Sequence, residues 1–303
     1  MRKRLDWARR VIALATVLSV MAVTIPEPDV EPTDFVLVKL ERATSVDTGE
    51  RMIWILAVGS DARPGEDMFR VRGDALQLVG INTRTGAASV IGIPRDSYVS
   101  IPGVGSERVN AALYYGGPEL LGQTVGNLIG VQPDYVFVTR FESFSRLIAY
   151  VGPITVDNPV AFSDSNLKPA GFKAGKVRLG PYTALAFSRS RKALLRGDFD
   201  RSANQQRTMR GIQAKVRARA SQPGFLEGGV LSVMKNTQTD VSPSELFRMA
   251  HAVAQVNPDL ITNCVLQGGI GDVGGASVVI PYTDQAKRLG DRARNDGTLE
   301  SCD

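Results

Sequence analysis

The stretch MIWILAVG, Met52 to Gly59, is an unbroken apolar run bounded by polar sequence. A strand with one solvated face alternates polar and apolar residues. A continuous run of this length reads instead as a strand covered on both faces. The segments after it supply the covers. ALQLVGIN and ASVIGIPRD read as two strands joined at Thr83-Arg84-Thr85-Gly86, a hairpin with turn residues. GGPELLGQTVGNLIGV places Leu120, Leu121, Val125, Leu128 and Ile129 at helical spacing. DYVFVTRF is a strand, ESFSRLIAYVG a helix, PITVDNP a short strand and PYTALAFSRSR a short helix or turn. A long helix is expected from Asp198 to Ser221, with Met209, Ile212 and Val216 on its packed face. The C-terminal part adds a helix capped by Ser242-Pro243-Ser244-Glu245, strands at Ile261 to Leu266 and Ser277 to Ile280, and a final helix from Thr283. Strands and helices alternate throughout, so the expectation is α/β: one domain over 51–303, a mixed central sheet flanked by helices.

The first residues differ from the rest. MRKRLDWARR is strongly basic, and Val11 to Ile25 follows without a charge. That apolar run is shorter than the roughly 20 residues that span a bilayer. It suits a signal peptide, with a cleavage site at Val20-Met21-Ala22, or an uncleaved signal anchor with its arginines held inside. The expected organisation is therefore 1–25 as anchor or signal, 26–50 as a Pro-rich acidic spacer, and the remainder outside the cytoplasm at the cell membrane. The formal net charge of +5 favours an anionic partner without choosing among nucleic acid, lipid headgroup and phosphorylated substrate.

Scarcity narrows the chemistry. His251 is the single histidine, so a multi-histidine zinc site cannot form within one chain, and a serine triad would have to run through it. It falls in the capped helix among Phe247, Ala250 and Ala254, where a structural role is expected. Cys264 and Cys302 are the only cysteines and, in an exported chain, make a reasonable disulfide pair. Gly269-Ile270-Gly271-Asp272-Val273-Gly274 matches a dinucleotide fingerprint, but a strand follows where that motif needs a helix, so a hairpin loop is expected.

The arginines carry the rest. FSRSRKALLRGDFDRSANQQR, Phe187 to Arg207, holds Arg189, Arg191, Arg196, Arg201 and Arg207. Arginine is suited to gripping phosphate or carboxylate with two parallel hydrogen bonds. Arg201 and Gln205 share a helix face, and Arg189 and Arg191 would point the same way in extended backbone. Asp198 begins the long helix. Other strand-end loops repeat the pattern: Asp61 with Arg63, Arg72 with Asp74, and Arg95 with Asp96. Arginines among carboxylates at one edge of an α/β sheet suit a pyrophosphate held with a divalent cation. Scattered surface ion pairs are the alternative.

The strings GSDAR, RGDALQLVGINTRTG, IGIPRDSYVSIPG, VNAALYYGGPELL and SRSR…GDFDRSANQQR closely resemble the LytR–CpsA–Psr family of exported glycopolymer ligases. The resemblance implies transfer of a glycopolymer from a polyprenyl-pyrophosphate carrier to a peptidoglycan hydroxyl. It implies Mg²⁺ (or Mn²⁺) at Asp61 and Asp74. It implies pyrophosphate held by Arg72, Arg95, Arg189, Arg191, Arg201 and Gln205, with Asp198 beside the phosphates. Asp74 or Asp61 would accept the proton. Two departures from the family pattern stand out: Gly73 and Ala75 flank Asp74 where hydroxyl residues are common, and Asn204 stands where a basic residue is frequent. The rivals are a hydrolase of the same lipid, a wall protein that only binds lipid or glycan, and a transcriptional regulator. No helix-turn-helix or aromatic platform is visible, so nucleic acid is not an expected partner.

Overall fold

The computed structural model describes residues 35–41, 51–63, 66–192 and 194–303. The expected anchor or signal segment and most of the spacer lie outside the described residues. Among the described residues no helix is long and apolar enough to cross a membrane.

Seven strands make one mixed sheet: β1 (Phe35–Lys39), β2 (Met52–Ser60), β3 (Gly73–Asn82), β4 (Ala88–Gly92), β7 (Tyr135–Thr139), β12 (Thr237–Thr239) and β13 (Ile261–Val265). Their spatial order is β12-β1-β7-β2-β3-β4-β13. The other strands pair two by two: β5 (Tyr98–Ile101) with β6 (Gly105–Arg108), β8 (Ile154–Asn158) with β11 (Gly175–Leu179), β9 (Phe162–Asp164) with β10 (Lys168–Phe172), and β14 (Gly268–Val273) with β15 (Ala276–Pro281). The apolar run that opens the domain is the middle strand, β2, parallel to β7 and antiparallel to β3.

Both faces of β2 are covered. On one side α1 (Ala111–Ile129) and α7 (Thr283–Asp296) pack Leu121, Val125, Ile129 and Leu289 into a cluster with Leu56, Val58, Leu78 and Ile91. On the other, α6 (Pro243–Gln255) sets Leu246 and Met249 against Ile53 and Tyr135, with α5 (Phe225–Asn236) alongside. There, too, α4 (Asp198–Arg219) crosses β3, β4 and β13. A further cluster around Ile148, Phe172, Leu179 and Phe187 lies among α2 (Phe141–Val151), α3 (Pro181–Arg189) and β8 to β11. Helix, sheet and helix form the expected three layers.

Several local expectations need correcting. β1 lies inside the stretch expected to be spacer; FVLVK is short, but its first three residues are buried and it pairs with β7 over all five. α1 starts at Ala111, before the apolar pattern begins, and is broken at Gly116 and Gly117, the latter at φ 66°. The glycine-rich hexapeptide is mostly strand β14, with the turn to β15 at Gly274 and Gly275. His251 is exposed on α6 rather than packed, because Leu246, Met249 and Ala254 form the buried stripe.

The largest difference concerns α4, whose buried face is polar. Ser202, Asn204, Gln206, Thr208 and Gln213 are buried, whereas Met209, Ile212 and Val216 are only partly covered. Two of the buried amides donate to backbone carbonyls: Gln206 Nε2 to Cys264 O at 2.8 Å and Gln213 Nε2 to Val256 O at 2.9 Å. Satisfied in this way, buried amides avoid the penalty of an orphaned donor. Close approach makes this possible. A Cβ at Gly92 would lie 2.4 Å from Ser202 Oγ and 2.8 Å from Gln206 Nε2. A disulfide joins Cys264 in β13 to Cys302, with Cα atoms 5.3 Å apart.

Candidate active site

β2, β4 and β7 end where β3 begins, as the pairings Ser60↔Gly73, Gln77↔Gly92 and Gly59↔Thr139 require. Four segments therefore deliver charged side chains to one end of the sheet: Asp61 after β2, Asp74 near the start of β3, Arg95 after β4 and Arg140 after β7. The head of α4 reaches the same place, because Asp198 Oδ2 accepts the Arg95 backbone N–H at 3.0 Å.

The arginines of the run go to separate carboxylates. Arg201 pairs with Asp198, both nearly buried. Arg189 NH2 lies 3.9 Å from Asp61 Oδ1 while its guanidinium stacks on Phe141, 4.1 Å from the ring centre. Arg191 NH2 lies 3.7 Å from Asp96 Oδ2. Arg189 and Arg191 thus diverge instead of pointing together, because Arg189 ends α3, whose last turn is closed by Ser190 N–H to Ala186 O at 3.0 Å. Arg95 contacts Asp74 through NH1, and its Nε is 3.7 Å from Asp96 Oδ1. Gln205 Oε1 accepts from Gln77 Nε2 at 3.0 Å, so the amide is held from beneath by β3. Arg72 is exposed and makes no ion pair among the described residues; only its backbone carbonyl joins the site, 3.5 Å from Asp61 N. Arg196, from the same run, pairs with Asp200 one turn on.

Burial pushes the Arg201 guanidinium down to about 10; Asp198 opposes that shift, while Arg95 and Arg191 reinforce it. The group is still charged at neutral pH, and an anion placed between these arginines would favour that charged form.

Two side chains escaped the sequence reading. Arg140 is buried and donates to Arg63 O at 2.6 Å and to Glu66 O, holding the loop that carries Asp61. Its signal was available: it follows a strand that runs parallel to β2, so it must emerge at the same edge. Arg108, at the end of β6, lies 3.9 Å from Asp96 Oδ1. Nothing in local spacing announces that contact, which depends on the β5–β6 hairpin folding back.

With this geometry in place, residues 33–295 match the family model for LytR_cpsA_psr. The chain belongs to the LytR–CpsA–Psr family. A curated relative, the polyisoprenyl-teichoic acid–peptidoglycan teichoic acid transferase TagU of Bacillus anthracis, is 34% identical over 197 residues, 64% of this chain and 62% of that protein. The matched stretch is thus under two thirds of that relative's length. Among solved structures, Bacillus subtilis TagV superposes with a TM-score of 0.68 at 24% identity, covering 82% of this chain and 97% of the other. Bacillus subtilis TagT, in a structure with bound octaprenyl pyrophosphate lipid, gives 0.63 at 20% identity, covering 86% and 96%. These last two likenesses establish the fold.

Proposed function

We propose that this protein transfers a glycopolymer from a polyprenyl-pyrophosphate carrier to a peptidoglycan hydroxyl, outside the cytoplasm and held at the membrane. One observation carries the reading: Arg95, Arg189, Arg191 and Arg201, from three segments, converge with carboxylates at one end of the sheet. Such a cluster recognises a compact polyanion by geometry, since each fork can give two parallel hydrogen bonds to phosphate oxygens. The TagU relative, named as a polyisoprenyl-teichoic acid–peptidoglycan teichoic acid transferase, points the same way.

In the reaction, the acceptor hydroxyl oxygen bonds to the glycan-bearing phosphorus and the bond from that phosphorus to the bridging oxygen breaks. Polyprenyl phosphate leaves, and a phosphodiester remains. The arginines hold the two phosphates in line with the incoming oxygen and offset charge on the non-bridging oxygens. His251 lies on α6, which packs against the C-terminal half of α4, so a carboxylate, Asp61 or Asp74, receives the hydroxyl proton. Gln205 and Asp198 fix the head of α4 relative to β3 and Arg95.

The donor set fits Mg²⁺ or Mn²⁺. Asp61 and Asp74 are hard oxygen ligands, and Asp74 already accepts a cation, the Arg95 guanidinium. Among the described residues no three metal-binding side chains cluster. An ion held by two carboxylates would draw its remaining ligands from water and phosphate. Bound there, it would neutralise phosphate charge.

The test is release of prenyl phosphate from a synthetic polyprenyl-pyrophosphate glycan, with peptidoglycan fragments as acceptor. Glycan should appear on the fragment in step with the released lipid. Release that ignores the acceptor would make the protein a hydrolase, and absence of release would leave it a binder. Export is checked by a reporter fused after Asp303, expected to be active only outside the cytoplasm.

A further inference from the structure

Asp96 is the most connected carboxylate at this end of the sheet. Its Oδ1 lies 3.7 Å from Arg95 Nε and 3.9 Å from Arg108 Nε, and its Oδ2 lies 3.7 Å from Arg191 NH2. Three guanidiniums from three separate segments share one largely buried negative charge. Each separation exceeds hydrogen-bond length. Asp96 therefore balances the three groups by charge without taking up their N–H donors. Arg95 Nε is buried without a hydrogen-bond partner, which fits a group centred by charge rather than locked. The same residue is tied to the C-terminal hairpin. Its carbonyl accepts Val279 N–H at 2.9 Å, and Arg108 NH2 donates to Ser277 O at 2.9 Å.

We infer that Asp96 is the positioning residue of the arginine cluster: it holds Arg95 and Arg191 at the spacing a pyrophosphate needs and couples them, through Arg108, to the β14–β15 hairpin. This rests on the reading of the site as a pyrophosphate site and adds how its arginines are kept together. Without a central anion, three like charges would separate into solvent. The donor would then have to gather them on arrival, losing affinity to that ordering.

The experiment is calorimetric titration of the full chain with inorganic pyrophosphate at fixed Mg²⁺. Charge counting alone predicts that Asp96→Asn, which removes a negative group beside the arginines, binds the anion more tightly. Positioning predicts the opposite sign, with affinity about tenfold weaker. In an Arg191→Ala background the same substitution should cost less than about threefold, because it acts through the missing arginine. Should Asp96→Asn fail to fold, Asp96→Glu carries the test: the charge stays, the forks are displaced, and binding should weaken at least about threefold. Equal or tighter binding by folded Asp96→Asn, an undiminished loss in the Arg191→Ala background, or unchanged binding by Asp96→Glu overturns the inference alone. Absence of pyrophosphate binding by the wild type overturns both the inference and the reading beneath it.

Discussion

The segments that meet at the head of α4 and the C-terminal helix α7 each carry several arginines, yet they use them differently. On α7, Arg294 pairs with Asp291 one turn back and donates to Gly130 O at 2.8 Å, while Arg292 donates to Ser301 Oγ at 2.7 Å. These partners are either local or carbonyls at the edge of a neighbouring element. Around α4, Arg191 reaches Asp96 and Arg95 reaches Asp74, with Asp198 receiving the Arg95 backbone N–H, all across distant parts of the chain. A local pair forms wherever a helix forms, and its contribution is small. A pair across elements exists only if the fold brings its members together, so it marks an arrangement the fold is built to hold. Arg196 provides the contrast inside the run itself, since its partner Asp200 is only four residues away.

That contrast can be broken experimentally, beginning with the largest effect. Arg201 also has a local partner, three residues back, but that pair is buried: Arg201→Ala leaves Asp198 without its guanidinium, and removing one member of a buried pair costs about 3–5 kcal/mol. The denaturation midpoint should fall accordingly, whereas Arg294→Ala should stay within about 0.5 kcal/mol of wild type. Asp74→Ala should retain its fold but reduce transfer about a hundredfold, and added Mg²⁺ should not restore it. Substantial recovery at high Mg²⁺ would remove Asp74 from the proposed ligands. Arg191→Lys keeps the charge and loses the fork, so transfer should drop about tenfold, or roughly 1.4 kcal/mol of transition-state stabilisation. Arg196→Lys and Arg294→Lys come last, with changes below about twofold. If Arg191→Lys behaves like those two, the distinction between local and cross-element arginines has no functional content.

Much of this was legible beforehand because it rests on periodicity and punctuation. The doubly buried β2, the β3–β4 hairpin and the capped α6 follow from residue pattern alone, and the fold places Asp61, Asp74 and Arg95 at one sheet edge as strand ends require. The misses share a different cause. Apolar spacing on α4 pointed to Met209, Ile212 and Val216, but that helix sits on backbone carbonyls and buries amides instead. Arg189 and Arg191 were expected to act side by side, and a helix end separates them. The contacts of Asp96 depend on which loops meet in space, and a linear pattern holds no record of that. Arg72 is the opposite case: its motif matched, yet its side chain is exposed and makes no ion pair among the described residues.

Gly92 has a consequence for how such a protein can change. Ser202 Oγ, which would crowd a side chain at Gly92, also accepts a hydrogen bond from Gln77 at 3.0 Å. At Gly92 the gap between sheet and helix therefore leaves no room for a methyl. Arg201 and Gln205 ride on the helix that this gap positions. One added methyl would shift two of the anion contacts together. Drift in what the cluster grips is open to the side chains of the surrounding loops. The separation of the layers beneath it is a fixed gauge, set by the one residue there that contributes nothing to chemistry.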